Sequence, residues 1–136
     1  MLNAIMLCLA LVSSNHQSLG RHKYEKPYKA KYTVTAYATG EPGVGHITYT
    51  GHRVHLGVVA VDPKVIPLGS HVYIPRYGWF IADDIGGKIK GRHIDMYVAS
   101  RHQAGRFGRQ KWIIGVYPKG IDVNNYLSYL RTRQHR

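Results

Sequence analysis

A chain of 136 residues is long enough for one compact domain with a hydrophobic core and too short for two. Eleven tyrosines and fifteen glycines favour strands and tight turns over helices. Nineteen Lys and Arg against seven Asp and Glu give a formal net charge of +12, which should attract polyanions such as nucleic acid, teichoic acid or anionic lipid. The basic residues occur as singles and pairs without a recognisable nucleic-acid-binding module, so nucleic acid is not expected as a partner.

The N-terminal segment carries an apolar run from Ala4 to Val12, which is short for a membrane span but sufficient for the core of a secretory signal. Residues 1–14 are therefore predicted to be a signal peptide that directs secretion. No Lys or Arg precedes the run, and an uncleaved apolar helix or strand is the alternative. Cys8 is the only cysteine, which excludes an intramolecular disulfide framework and a multi-cysteine metal site.

The remaining chain divides into a basic linker, a β-rich domain and a basic tail. Residues 15–31 lack hydrophobic periodicity and are predicted to be the linker, and residues 32–120 are predicted to be the domain. Residues 121–136 form the tail, in which Tyr126, Leu127 and Leu130 could dock as a helical turn. Six β-branched, aromatic or apolar segments predict strands, at residues 32–37, 56–61, 71–75, 79–84, 94–98 and 112–117.

The predicted fold class is mainly β, a six-stranded barrel with one short helix. Ser100 is suited to capping that helix, over residues 101–107. Closure of the sheet is expected because a closed barrel has no exposed edge that could pair with another chain. The glycine-rich segment from Gly40 to Gly51 is predicted to be a long loop and a candidate wall of a cleft.

Acidic residues are scarce, yet four of the seven fall between positions 62 and 95, as Asp62, Asp83, Asp84 and Asp95. Asp84 and Asp95 bracket a connection that is rich in glycine and basic residues. If the two flanking strands pair antiparallel, both carboxylates lie at one rim of the barrel. Period-two alternation places Asp84 on one face with Phe80 and Ala82, and Asp95 with Tyr97.

Paired carboxylates in partly apolar surroundings are suited to acid–base chemistry. Desolvation and a neighbouring negative charge raise the pKa of one Asp, which becomes a proton donor, while its partner stays ionised. Such a pair favours departure of a sugar oxygen through an oxocarbenium-like state. The alternative is structural, because Asp before Pro or Gly commonly bonds the backbone of a turn. The residues alone leave both interpretations open for Asp62, Asp84 and Asp95.

Two segments, Gly57–Ser70 and Asp84–Asp95, together with Thr35-Ala36-Tyr37 and Thr48-Tyr49-Thr50-Gly51, resemble the three-aspartate (3D) domain family. The resemblance implies a double-psi β-barrel, similar to stationary-phase survival proteins and to the catalytic domain of membrane-bound lytic transglycosylase A. It implies cleavage of peptidoglycan glycan strands between N-acetylmuramic acid and N-acetylglucosamine, with formation of a 1,6-anhydro end. Asp95 then corresponds to the general acid and base, and Asp84 and Asp62 to supporting acids.

The same resemblance implies that five residues lie near the glycan: Tyr37, Thr50, Gly86, Gly87 and Lys90. The family motif usually reads Asp-Thr-Gly-Gly-Ala, whereas this chain has Ile85 and Lys88 in place of the Thr and the Ala. Loss of the Thr hydroxyl could alter how Asp84 is held, and the Lys88 charge could lower a nearby carboxyl pKa. Asp83 is an additional carboxylate that alternation turns away from Asp84.

Other features are weaker. His46, His52 and His55 are close in sequence but lack an evident carboxylate or Cys partner, so no metal site and no cofactor are predicted, and the nine histidines are interpreted as surface groups. The expected function is a peptidoglycan lytic transglycosylase, secreted or associated with the cell wall, encoded by a bacterium or a phage. The basic arm and tail would bind anionic wall polymers. The alternative is a non-catalytic barrel that binds peptidoglycan or another polysaccharide.

Overall fold

A computed structural model describes residues 26–133 of the chain. The predicted signal peptide and all of the predicted linker before residue 26 lie outside the described residues. The elements in chain order are β1 (Tyr28–Tyr37), β2 (Val58–Val61), β3 (His71–Ile74), β4 (Gly78–Asp84), β5 (His93–Tyr97), α1 (Arg101–Phe107), β6 (Gln110–Tyr117) and α2 (Val123–Arg133).

The six strands form a closed barrel in the order β1-β5-β2-β4-β3-β6. Strand β1 pairs parallel with β5, and β2 pairs parallel with β4, while the other four pairings are antiparallel. If β1, β2 and β3 are exchanged with β4, β5 and β6, every strand pair and its direction stay the same. The two halves of the barrel are therefore related by a pseudo-twofold symmetry of topology. The mainly β, six-stranded double-psi barrel predicted from the sequence is confirmed.

The barrel interior is filled by alternate side chains of its strands. Along β1, Tyr32 and Val34 are fully buried, whereas Thr33 and Thr35 point to the outer face. Along β5, Ile94 and Met96 are buried, and Asp95 lies between them on the outer face. The core therefore fixes which residues of β1 and β5 are presented outside the barrel.

Two boundaries differ from the sequence prediction. Strand β1 begins at Tyr28, four positions before the predicted start of the domain, because residues 28–31 pair with residues 113–116 of β6. The tail contains an eleven-residue helix, α2, where only one helical turn was considered. Helix α1 has the predicted bounds, with the Ser100 hydroxyl accepting from the Gln103 amide. Within residues 26–133, no helix has the length and apolar character needed to span a membrane.

Candidate functional site

Strand β2 brings two of the predicted acids together. Ala60 of β2 is in register with Asp95 of β5 on one side and with Asp84 of β4 on the other. Neighbouring strands lie about 4.8 Å apart, so the two Asp backbones are about 10 Å from each other across the sheet. The direct antiparallel pairing that was considered for the strands of Asp84 and Asp95 does not form, because β2 lies between them.

A β-bulge turns Asp84 to the outer face of the barrel. The register of β2 against β4 runs from Val59 with Ala82 to Ala60 with Asp84, and it skips Asp83. An extra residue in one strand reverses the side-chain alternation beyond it. The predicted shared face of Asp84 with Phe80 and Ala82 is therefore wrong. Asp84 instead shares the outer face with Ala60.

The Asp84 carboxylate accepts three hydrogen bonds. The Tyr37 hydroxyl donates to Oδ2 at 3.2 Å, and the backbone amides of Tyr49 and Ile85 each donate to Oδ1 at 2.9 Å. All three partners are donors, which suits an ionised carboxylate, since that group only accepts. The Ile85 side chain lacks the hydroxyl of the family motif, but its backbone still holds Asp84.

Asp95 lies in a partly desolvated position. Its Oδ1 accepts a hydrogen bond of 2.7 Å from the Thr35 hydroxyl on β1. Burial is the largest influence and raises the pKa of Asp95 above its usual value; the Thr35 hydrogen bond acts in the opposite direction, and the charges of Glu41 and Asp84 raise the pKa further. Asp95 is therefore protonated more readily than a free Asp, whereas Asp84 is surrounded by hydrogen-bond donors.

Thr35 and His93 extend this arrangement, and neither was among the predicted site residues. The Thr35 hydroxyl has one hydrogen, which it donates to Asp95, and its oxygen lies 2.9 Å from Nε2 of His93. Burial and the Arg109 charge lower the pKa of His93, while a hydrogen bond with the Lys88 backbone raises it. His93 is half-buried, not the surface group predicted for all histidines.

Tyr37 lies at the end of β1, and its hydroxyl reaches Asp84 on β4. It is buried with Ala60 and Ile89, beneath Val44 and Val54 of the loop that follows β1. Its ring packs edge-on against Tyr97 with 5.4 Å between centroids. Burial, followed by the charge of Asp84 and its hydrogen bond, raises the pKa of Tyr37 well above its usual value, so the hydroxyl remains a donor.

Asp62 has a different environment from the other two predicted acids. Its carboxylate accepts hydrogen bonds from the backbone amides of Gly91, at 2.8 Å, and Lys64, at 3.0 Å. These two bonds, with the Gly91 bond the larger influence, lower the pKa of Asp62. Asp62 thereby joins the end of β2 to the connection between β4 and β5, and its oxygens are occupied by protein donors.

The extra carboxylate, Asp83, holds the loop that contains Thr50. Thr50 and Thr48 donate to it at 2.6 and 2.9 Å, and Nδ1 of His52 lies 2.9 Å from its Oδ2. Burial acts to raise the pKa of Asp83, but the hydrogen bonds from Thr50, His52 and Thr48 outweigh it and the pKa is lowered. The Thr50 hydroxyl is thus committed to Asp83.

The connection between β4 and β5 carries the other predicted glycan-binding residues. A Cβ at Gly86 would lie 2.7 Å from Cγ1 of Ile89, whereas a Cβ at Gly87 would meet open space. Gly87 and Lys90 are exposed, and the Lys90 charge contributes to lowering the pKa of Asp62. In residues 26–133, no three or more His, Cys, Asp or Glu side chains are grouped so that they could hold a metal ion.

The structure thus places Tyr37, Asp84 and Asp95 close to one another. Asp62 and Thr50 are not in this group and instead hold the neighbouring segments in place. Thr35 belongs to the Thr-Ala-Tyr motif. Its register with Asp95 in the parallel β1–β5 pair places its hydroxyl within hydrogen-bond distance of the Asp95 carboxyl. Sequence could have identified it only through knowledge of the β1–β5 pairing. His93 had no distinguishing signal, because its burial depends on the same pairing.

Comparison with known proteins agrees with the motif analysis. Residues 57–117 match the family model of the 3D domain, so the predicted resemblance is confirmed. From Bacillus subtilis (strain 168), "Cell wall-binding protein YocH" is 45% identical over 80 residues, covering 56% of this chain and 28% of the relative. "Putative cell wall shaping protein YabE" is 41% identical over 80 residues, covering 56% and 20%. "SPbeta prophage-derived uncharacterized protein YorM" is 31% identical over 102 residues, covering 72% and 42%.

The matched region spans less than half the length of each of these relatives. Among solved structures, MltA from E. coli aligns with a TM-score of 0.44 at 21% identity, covering 57% of this chain and 29% of MltA. A structure of E. coli MltA with bound chitohexaose aligns with the same TM-score at 19% identity, covering 58% and 30%.

Proposed function

We propose that the 3D domain of this chain, carried by a closed six-stranded barrel, is a peptidoglycan lytic transglycosylase in which Asp95 is the general acid and then the base. The observation that carries the proposal is the contrast between two neighbouring carboxyls. Burial raises the pKa of Asp95, whereas Asp84 accepts three hydrogen bonds from donors. This is the division of roles that glycosidic cleavage requires.

The substrate class is supported by the 3D match and by the relatives. YocH is a cell wall-binding protein by name, and YabE a putative cell wall shaping protein. A net charge of +12 suits a surface of anionic wall polymers. We therefore propose the glycan strand of peptidoglycan as substrate, with the protein secreted or held at the wall. The prophage origin of YorM is compatible with either a bacterial or a phage source.

In the first step, protonated Asp95 donates its proton to the oxygen that joins C1 of N-acetylmuramic acid to O4 of N-acetylglucosamine. The C1–O4 bond breaks, and the positive charge that develops at C1 is stabilised by ionised Asp84. A positioned proton donor contributes roughly 10²–10⁴ in rate. The Tyr37 hydroxyl orients the Asp84 carboxylate through its 3.2 Å hydrogen bond.

In the second step, the Asp95 carboxylate takes the proton of the muramoyl 6-hydroxyl as O6 attacks C1. A 1,6-anhydro ring closes, and Asp95 returns to its protonated form without a water molecule. Asp62 and Thr50 do not contact the reacting atoms. Asp62 holds the connection between β4 and β5, and Thr50 holds its own loop against Asp83. Gly86, Gly87 and Lys90 lie on the connection that would border the glycan.

Digestion of purified wall by the wild-type protein and by Asp95→Asn tests this function. The wild type should release soluble fragments, and the variant should release at least 100-fold less because an amide N–H is too weakly acidic to act as a general acid. Thermal unfolding of both proteins controls for folding. Equal release by the variant would rule out Asp95 as the acid.

A second candidate is a barrel that binds peptidoglycan without cutting it. The name of YocH, the relative with 45% identity, favours this reading. It predicts that the wild type and Asp95→Asn are retained equally on insoluble wall and that neither releases fragments. The digestion described above therefore separates the two candidates in a single experiment.

A further inference from the structure

A cavity of about 710 Å³ opens at the end of the barrel where β4 begins and β5 ends, with the core residues Phe80 and Met96 in its lining. Leu56, Trp79 and Tyr97 line it from the barrel side, and His102 and Arg106 line it from α1. Its volume lies within the range of about 300–1,000 Å³ that is typical of sites for small ligands. The reaction proposed above makes no use of this cavity.

Tyr97 connects the cavity to the acids. It follows Asp95 by two residues on the outer face of β5, which is about 6.6 Å along the strand. Its ring contacts Tyr37, whose hydroxyl donates to Asp84. Strand β2 runs parallel to β4 and antiparallel to β5. Strand β4 therefore begins at the end of the barrel where β5 and Tyr97 end. A glycan strand that passes over Asp95 along β5 would therefore reach the cavity at Tyr97.

The cavity presents apolar side chains to solvent. Leu56 is 63% exposed, Tyr77 50% and Trp79 39%. Tyr77 follows Arg76, whose φ of 70° is the only positive value at a non-glycine residue in the described part of the chain. The Tyr77 ring stacks on Trp112, with 5.8 Å between centroids and 26° between planes. Exposed rings that are held in place offer flat surfaces for the apolar faces of sugars.

One arginine, Arg106 of α1, is in the lining of the cavity. Arg106 separates it from an adjoining cavity of about 610 Å³, which Arg76 and Lys111 also line. Among residues 26–133, none of these three side chains forms an ion pair with an Asp or a Glu. Their charges are therefore available to an anionic group that extends from a sugar in the aromatic cavity.

We propose that this cavity binds a second disaccharide of the glycan strand, next to the one at the acids, and that Arg106 binds a carboxylate of the stem peptide on that disaccharide. The inference rests on the proposed substrate. Peptidoglycan matches the chemistry because its sugars have apolar faces and its stem peptides carry free carboxylates. A neutral polysaccharide lacks the anionic group.

The test measures binding by calorimetry in an Asp95→Asn background, which prevents cleavage. The probes are a peptidoglycan tetrasaccharide with its stem peptides and the same tetrasaccharide after the peptides are removed. The parent should bind the peptide-bearing probe more tightly. Arg106→Gln should weaken binding of that probe about tenfold and leave the bare tetrasaccharide unaffected, as expected for loss of a charge-assisted hydrogen bond.

Arg101→Gln is the matched control, because Arg101 is exposed on the same helix and lines neither cavity. Tyr77→Ala, checked by thermal unfolding, should weaken binding of both probes by removing a stacking ring. Unchanged affinity in Arg106→Gln, or an equal loss in Arg101→Gln, would overturn this site alone. Failure of the parent to bind either probe would overturn the proposed substrate as well.

Discussion

Opposing forces act on the side chain of Asp95. Burial and the charges of Glu41 and Asp84 favour its neutral form, and the Thr35 hydroxyl favours its ionised form. A raised pKa means that the folded state resists ionisation of this group more than the unfolded chain does. The stability that follows is complete below the unfolded pKa and is lost as the pH rises through the folded pKa.

Asp95→Asn should therefore raise the melting temperature at pH 7, because burial opposes ionisation of Asp95 in the folded state, whereas the unfolded chain ionises this group freely. The gain should shrink as the pH falls from the folded pKa towards about 4 and should vanish below it, because wild-type Asp95 is then protonated in both states. Thermal unfolding of the two proteins across this pH range measures the effect. A variant that is less stable than the wild type at pH 7 would contradict the account of Asp95.

Thr35→Val removes the hydroxyl that bonds Asp95 and should raise the Asp95 pKa further, since that bond favours the ionised form. Thr35→Ser keeps the hydroxyl and should leave the pKa close to the wild-type value. Carbon-13 NMR of the Asp95 carboxyl during a pH titration measures both. If Asp95 supplies the proton in cleavage, the alkaline limb of the rate profile should move to higher pH in Thr35→Val. An unchanged carboxyl titration in Thr35→Val would show that the Thr35 hydroxyl does not influence the Asp95 pKa.

At the scale of elements, the bulge at Asp83 and the insertion of β2 between β4 and β5 create the site. Neither feature could be read from the sequence. Local alternation assigns faces within a strand, but a bulge shifts the register by one residue without a local signal. Parallel pairing of β1 with β5 joins segments that are about 60 residues apart, and periodicity carries no information on such contacts. The six strands themselves, and helix α1, were predictable because their apolar patterns are local.

The connection between β4 and β5 offers a matched pair of substitutions. Gly86→Ala should destabilise the fold by about 1–3 kcal/mol, because the new methyl group overlaps the buried Ile89 side chain. Gly87→Ala should change stability by less than about 0.5 kcal/mol, since its Cβ meets no atom within 4 Å. Urea unfolding of both variants measures the difference. Equal losses would show that the Gly86–Ile89 contact does not constrain this connection.

At the scale of the whole molecule, the charge of +12 should act over distance on a polyanionic wall. Raising the salt from about 0.1 M to about 1 M shortens the Debye length from about 10 Å to about 3 Å. Retention on purified wall should fall several-fold over this range, whereas retention on chitin, a neutral polysaccharide, should change little. Salt-independent retention on wall would show that the anionic polymers do not contribute.

The domain and its three aspartates were predictable from motifs, but their unequal environments were not. Asp62 accepts hydrogen bonds from two backbone amides, which agrees with the structural alternative considered for it. Asp95 has a raised pKa, and the groups that contact the Asp84 carboxylate are all hydrogen-bond donors. These differences arise from the barrel pairing, which brings Thr35 to Asp95 and Tyr37 to Asp84. Sequence therefore identified the acids, and the fold distinguishes them.

The central claim is that cleavage closes O6 onto C1 without water, and digestion in oxygen-18 water tests it most directly. Purified wall would be digested by the wild-type protein, and the muramic acid ends would be analysed by mass spectrometry. We predict anhydro ends, lighter than hydrolysed ends by one water and free of oxygen-18. Ends that incorporate oxygen-18 would identify hydrolysis and contradict the proposed reaction, and a digest without soluble fragments would contradict catalysis altogether.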